Sequence, residues 1–178
     1  MAEILNWQSA DIALRLIATG LAGILIGIER ESRGRAAGMR TTLLVSLAAC
    51  LAMLLSDALQ QPFEQSNQQP RPDPARLAQG ILSGMGFLGA GAIIRNGNRV
   101  QGMTTAATLW FVTIIGLIFG SGQWGLGIAG SVLALITLRS LTRLEDHVKE
   151  DWYATLVITS QFPGLDDRVL RDRIESHG

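Results

Sequence analysis

The sequence predicts an all-α integral membrane protein, with about five transmembrane helices followed by a short β-α cytosolic tail. The first observation behind this is where the charges are missing. Residues 100–138 are 39 consecutive positions without Asp, Glu, Lys or Arg, residues 77–94 another 18, and residues 41–56 another 16. A charge at the bilayer centre costs about 2.5–3.5 kcal/mol on insertion scales, which gives such gaps a physical cause. The second observation is their length. A helix needs about 20 residues to cross a hydrocarbon core of about 30 Å. As one helix the longest gap would extend about 58 Å, at about 1.5 Å per residue, so it must fold back on itself. Bulk composition is less decisive, with 48% hydrophobic residues and a mean hydropathy of +0.28.

Segment one spans residues 12–28 and carries Arg15. Asp11 stands four positions before Arg15, on the same side of a helix, where the two can pair near the interface. Residues 1–10 lack a basic stretch ahead of it, so this segment is expected to stay in the mature protein. Segment two covers residues 40–59, with Asp57 near its far end, and segment three covers residues 77–94. The long uncharged stretch supplies segment four, residues 103–119, and segment five, residues 124–141. Its turn falls in Gly120-Ser121-Gly122-Gln123-Trp124-Gly125, where glycines permit tight backbone geometry. Cys50, the one cysteine, lies in an apolar run and reads as a small packing residue.

Orientation follows from the loops. Arg30, Arg33, Arg35 and Arg40 lie in loop one, Arg95 and Arg99 in loop three, and Arg139, Arg143 and Lys149 at the end of segment five. Against them stand only Arg71 and Arg76, in the Pro/Gln-rich stretch 60–76. The positive-inside rule then places the N-terminus outside and the tail in the cytosol. Trp7, Trp124 and Trp152 fall at segment edges, as in an aromatic belt, with Trp152 equally assignable to the tail. The expected domains are a transmembrane domain, 1–145, and a tail, 146–178. In the tail, residues 152–159 read as a strand and residues 166–176 as a helix. That pair cannot bury a core alone, so it either packs on a partner or begins a small α+β domain.

Glycine forms the first functional constellation. Gly20, Gly23 and Gly27 stripe segment one, Gly80, Gly84, Gly86, Gly89 and Gly91 crowd segment three, and Gly116 and Gly120 mark segment four. Gly23/Gly27, Gly80/Gly84 and Gly116/Gly120 are GxxxG pairs, which let helices approach closely in lipid. With five glycines in twelve residues, segment three is also a candidate for a broken or thinned helix lining a cavity. Gly84-x-Gly86-x-x-Gly89 matches the dinucleotide fingerprint in letters only. It lacks the preceding strand and the acidic residue about 20 positions on, so nucleotide binding is set aside.

Loop one is the densest polar cluster, running from Gly27-Ile28-Glu29-Arg30-Glu31 through Gly38-Met39-Arg40-Thr41-Thr42. Its simplest reading is a solvated loop with snorkelling arginines, but Glu29 and Arg30 lie at the membrane boundary, where ionisable groups are usually paired. Thr104 and Thr105 open segment four as helix caps, and the dipole there could instead favour an anion or a carboxylate such as Glu29. Trp110, deeper in that segment, reads as core.

Taken in order, Gly27-Ile28-Glu29-Arg30-Glu31, Ala37-Gly38-Met39-Arg40-Thr41, residues 84–93 (GMGFLGAGAI) and residues 102–110 (GMTTAATLW) resemble the signature blocks of the MgtC/SapB family. The resemblance covers roughly residues 12–145. It implies a bacterial inner-membrane protein tied to growth under magnesium limitation and, in pathogens, to survival inside host cells. The family name suggests magnesium transport. Better-studied members look like regulators of other membrane machinery, notably the ATP synthase. Longer members carry a C-terminal cytosolic ACT-like domain, and the tail here resembles its first part.

Two functions follow as expectations, a regulator of another membrane complex and a transporter of Mg²⁺ or another cation. Mg²⁺ is usually held by one or two carboxylates plus waters in octahedral geometry. Segments three to five contain no carboxylate, and Asp11, Glu29, Glu31 and Asp57 split between the two faces, with Glu29 and Asp57 the metal candidates. Regulation is therefore the leading reading. No resident cofactor is expected, with Mg²⁺ left open. His147 and His177 lie at the cytosolic end and no nucleophile-base arrangement is apparent, so no enzyme is expected. The expected partners are the lipid bilayer, another membrane protein complex and a second copy of the chain through its glycine faces. Fifteen basic and fifteen acidic residues balance, so no nucleic-acid partner is implied.

Overall fold

The computed structural model describes residues 2–66, 73–97 and 99–145, all within the first of two units, Met1–Glu145 and Asp146–Gly178. The expected tail strand and helix, Trp152 and the Trp7 side chain lie outside what is described.

Among the described residues five helices follow in the order expected: α1 (Ala2–Glu31), α2 (Met39–Ser66), α3 (Pro74–Ala92), α4 (Met103–Gly120) and α5 (Trp124–Glu145). Local chemistry sets several of their ends. The Asp73 carboxylate accepts from the Ala75 backbone N–H at 2.9 Å, and Pro74 follows it into the first turn of α3; proline fits there because its missing N–H would have no helical partner. Between α4 and α5 the chain turns through Gly122, at φ +74°, where a side chain would be strained.

A feature not anticipated from sequence joins α3 to α4. Strands β1 (Ile94–Asn96) and β2 (Arg99–Gln101) pair antiparallel, with Asn96 opposite Arg99, and Gly97 stands at φ +60°. The Asn-Gly pair that opens this connection is a hairpin signal. The hairpin returns the chain so that Gly102, at φ +88°, lies on the end of α3, where a Cβ would overlap the Ala92 carbonyl oxygen.

Helix α4 is the centre of the bundle and packs against each of the other four. In its span 56% of the residues are buried, against 28% in the spans of α1 and α2. Ala22 and Ile26 of α1, Val112, Ile115 and Phe119 of α4 and Ala134 of α5 form the main apolar core. Around it large apolar side chains face outward, among them Ile17, Leu44, Leu55, Leu126 and Ile136. A ring of that size would be an association hazard in water and suits hydrocarbon.

By length and apolarity alone, three stretches among the described residues can cross a membrane: Ser9–Glu31, Met39–Gln60 and Met103–Gly120. Helix α5 adds a shorter apolar stretch, Trp124–Ser140. Helix α3, with Arg76, Gln79 and its glycines, is less apolar than these stretches, although it lies where the third segment was expected. It is neither broken nor thinned, since it is continuous from Pro74 to Ala92.

Glycine works at two of the three GxxxG pairs. A Cβ at Gly27 would collide with Thr42 Oγ1 and Met39 Cα, and one at Gly23 would come within 3.2 Å of Leu43 Cα. Gly116 and Gly120 close α4 onto the Ser46 and Cys50 carbonyls of α2. Helix α2 thus presents a stripe of small residues, Thr42, Ser46, Ala49 and Cys50, to α1 on one side and α4 on the other. Its hydroxyls are satisfied inside the bundle: Thr42 Oγ1 donates to the Gly23 carbonyl at 2.8 Å and Ser46 Oγ to that of Leu43 at 3.0 Å. In lipid no water can do this for them.

The glycines of α3 differ. A Cβ at Gly80, Gly84, Gly86 or Gly91 would meet nothing within 4 Å, and one at Gly89 would meet only the Ala106 methyl at 3.5 Å. Among the described residues only the Ala106 methyl of α4 lies against that face, so the packing or cavity role expected of these glycines finds no partner within what is described. Gly84→Ala should therefore change stability by no more than about 1 kcal/mol, with any gain coming from better helix propensity. Thermal unfolding in detergent tests this; a loss well beyond that figure would reveal a neighbour on the open face.

Candidate functional site

Polar side chains gather at two ends of the bundle. Along α1 the distance from Arg15 to Glu29 is about 21 Å, at about 1.5 Å per residue, so the two clusters are well separated along the bundle.

At the first end Arg15 collects three oxygens. Its Nε lies 2.8 Å from Asp11 Oδ2, and its Nη1 is 3.2 Å from Asp57 Oδ2 and 2.7 Å from the Gly120 carbonyl oxygen. The pairing of Asp11 with Arg15 was legible in the sequence. The reach to α2 and to the end of α4 was not. One guanidinium thereby ties α1, α2 and α4 together, and its carboxylates are a little over 40% exposed, so solvent screens the pairs.

At the second end Glu29 is 8% exposed and uses both carboxylate oxygens. Oε1 accepts from Arg33 Nε at 2.8 Å, and Oε2 accepts from Arg139 Nε at 3.1 Å. Arg33 and Arg139 were not singled out as site residues in the sequence. A signal existed for Arg139, the first charge after the long uncharged stretch and on the same predicted face as Glu29. Glu31 takes a different role: its Oε2 accepts from the Met39 backbone N–H at 3.1 Å, and a carboxylate at a helix N-terminus is favoured by the dipole. Gly38 leaves room for it, since a Cβ there would stand 3.0 Å from that oxygen.

The carboxylate suggested for the N-terminus of α4 is not Glu29. Arg30 reaches that place instead. It is 3% exposed, and its Nη2 donates to Thr105 Oγ1 at 2.6 Å. Thr105 is buried, whereas Thr104 is exposed and offers its carbonyl to Thr108 Oγ1 at 2.7 Å. Arg40 and Thr41 are exposed, whereas Thr42 is buried at the α1–α2 contact with its hydroxyl on the Gly23 carbonyl. Trp110, expected in the core, is 45% exposed on the outer face of α4. A cleft of about 220 Å³ lies between α1, α4 and α5, lined by Ile26, Thr104, Phe111, Val112, Leu133 and Leu138.

Of the two metal candidates, Asp57 is engaged by Arg15 and Glu29 by two arginines. Among the described residues no three His, Cys, Asp or Glu side chains converge.

Comparisons with known proteins place these clusters in a family context. A family model described as the MgtC family matches residues 16–147. The chain is 38% identical over 142 residues to YhiD of Escherichia coli (strain K12), which its name describes as a candidate magnesium transporter, covering 77% of this chain and 63% of that protein. It is 37% identical over 142 residues to SrpB of Synechococcus elongatus, covering 75% and 76% respectively. It is 43% identical over 123 residues to MgtC of Salmonella typhimurium, covering 68% of this chain and 48% of that protein. The chain thus spans less than two thirds of the length of YhiD and about half that of MgtC. No solved structure matches.

Proposed function

Because this chain belongs to the MgtC family, we propose that it supports bacterial adaptation to low Mg²⁺ by regulating another membrane complex, with the ATP synthase the candidate its resemblance implies. In this reading it lies in the inner membrane, crosses it five times, and has its N-terminus outside and its C-terminus in the cytosol. The arginine-rich end with Glu29, Arg33 and Arg139 then faces the cytosol. In pathogens the same activity would serve survival inside host cells. We assign it no enzymatic step and no resident cofactor.

The observation that carries the regulator over the transporter is the state of the carboxylates. Asp11 and Asp57 are held by Arg15, Glu29 by Arg33 and Arg139, and Glu31 by the N-terminus of α2. They stand at opposite ends of the bundle. A Mg²⁺ ion entering either cluster would have to displace an arginine, and no carboxylate of the described residues stands between the clusters to receive it.

Two measurements decide between the readings. Affinity capture of the full chain from native membranes in mild detergent should recover a larger complex, and substitutions in the Glu29–Arg33–Arg139 cluster should weaken that recovery. The purified chain in liposomes should carry no Mg²⁺ above empty vesicles. Flux that falls on Asp57→Asn or Glu29→Gln would overturn the regulator reading and establish transport.

A further inference from the structure

We propose that Arg30 and the first turn of α4 form a binding site for a phosphate group, supplied either by an anionic phospholipid headgroup or by a soluble phosphate. Arg30 is a buried cation with its countercharge missing. Its buried Nε has no acceptor among the described residues, and its Nη2 is satisfied only by the Thr105 hydroxyl. None of the ion pairs among the described residues includes it; the carboxylates on either side, Glu29 and Glu31, point to Arg33 and Arg139 and to the Met39 backbone.

What Arg30 faces makes the imbalance worse. The N-terminus of an 18-residue helix carries a positive partial charge, and a guanidinium is the wrong neighbour for it. The residue before that helix is Gly102, which has no side chain to cap it, and the first turn holds no acidic residue. The early backbone N–H groups of α4 therefore lack the carboxylate or hydroxyl cap that usually satisfies them. Thr105 Oγ1 accepts from Arg30, so its own proton is free to donate.

These donors share one requirement. A guanidinium with an unpaired Nε, the hydroxyl it bonds and an uncapped helix N-terminus together suit a tetrahedral oxyanion, with the arginine supplying charge and forked geometry and the helix supplying N–H groups. Position narrows the source. Arg30 lies one residue before the end of the Ser9–Glu31 span, at the depth where headgroup phosphates and the aqueous phase meet, and exposed Thr104 marks the edge of the same turn. The inference does not rest on the regulator reading, since a transporter could use the same site.

The test uses the full-length chain, purified in a zwitterionic detergent with lipid removed, and follows thermal unfolding. One arm titrates short-chain phosphatidylglycerol against phosphatidylcholine, another inorganic phosphate, and a third sodium chloride at matched ionic strength. A saturable rise in Tm with phosphatidylglycerol alone assigns a lipid, and a saturable rise with inorganic phosphate assigns a soluble ligand. Thr105→Val, which keeps shape and burial, should weaken the response by about tenfold, the effect of losing one hydrogen bond to a charged group. Arg30→Met should abolish the response yet unfold at a higher temperature than the wild type without ligand, because it removes an unpaired buried charge. No saturable response from the wild type, a chloride response equal to that of phosphate, or an undiminished response in folded Arg30→Met would overturn the proposal.

Discussion

Gly116→Val is expected to destabilise the bundle by about 3 kcal/mol or more, toward the upper end of overpacking costs. A Cβ at Gly116 would overlap the Ser46 carbonyl oxygen and stand 2.9 Å from the Ala49 Cβ. The obstacle is backbone, which has no alternative rotamer. Helix α2 cannot retreat either, because its opposite side is held by α1: Thr42 Oγ1 is bonded to the Gly23 carbonyl, and Gly23 already lies against Leu43 and Ser46. The added valine gains little by burial, since its alternative environment is hydrocarbon in both states. Denaturant titration in mixed micelles measures the effect, with Gly84→Ala as the matched change on an open face. A Gly116→Val protein as stable as the wild type would show that α2 and α4 are not in contact as described.

That contrast marks what the sequence could reveal. Helix positions were readable, because charge placement is an energetic matter local to the chain. The gaps at 41–56, 77–94 and 100–138 became α2, α3 and the α4–α5 pair, and the glycine-rich turn fell at Gly122. The GxxxG spacing was equally visible at three places but has force only where a facing helix offers small residues and backbone. The missing half of the signal was in α2, where Thr42, Ser46, Ala49 and Cys50 recur at helical spacing. Polar partners were readable only when they were close in sequence. Asp11 with Arg15 followed from an i, i+4 interval, whereas the reach of Arg15 to Asp57 and Gly120 depends on how three helices pack. Arg30 was singled out with Glu29 as a boundary residue expected to be paired, but its partner was not legible; its burial against Thr105 comes from the hairpin that delivers α4 to that place. The hairpin itself had a signal in Asn96-Gly97 that the charge-gap reading passed over.

The second large effect is expected at Glu29, which joins α1 to α5. Deleting its carboxylate leaves two arginines facing each other beside an apolar core. Breaking a buried ion pair by removing one partner costs about 3–5 kcal/mol, but Arg33 and Arg139 are partly exposed, with 35% and 64% of their side chains accessible. Solvent therefore screens part of the loss, and about 2 kcal/mol is the expected cost of Glu29→Ala. Glu29→Gln keeps one acceptor oxygen and should lose less. The decisive measurement is a double-mutant cycle pairing Glu29→Gln with Arg139→Gln. If Nε of Arg139 truly bonds Oε2, the two losses should fall short of additive by roughly 0.5–1 kcal/mol. The shortfall should shrink as salt rises, because Arg139 stands in solvent. Strict additivity at low salt would mean that α5 is not tied to α1 through this pair, and the charge cluster would then have to be attributed to loop one alone.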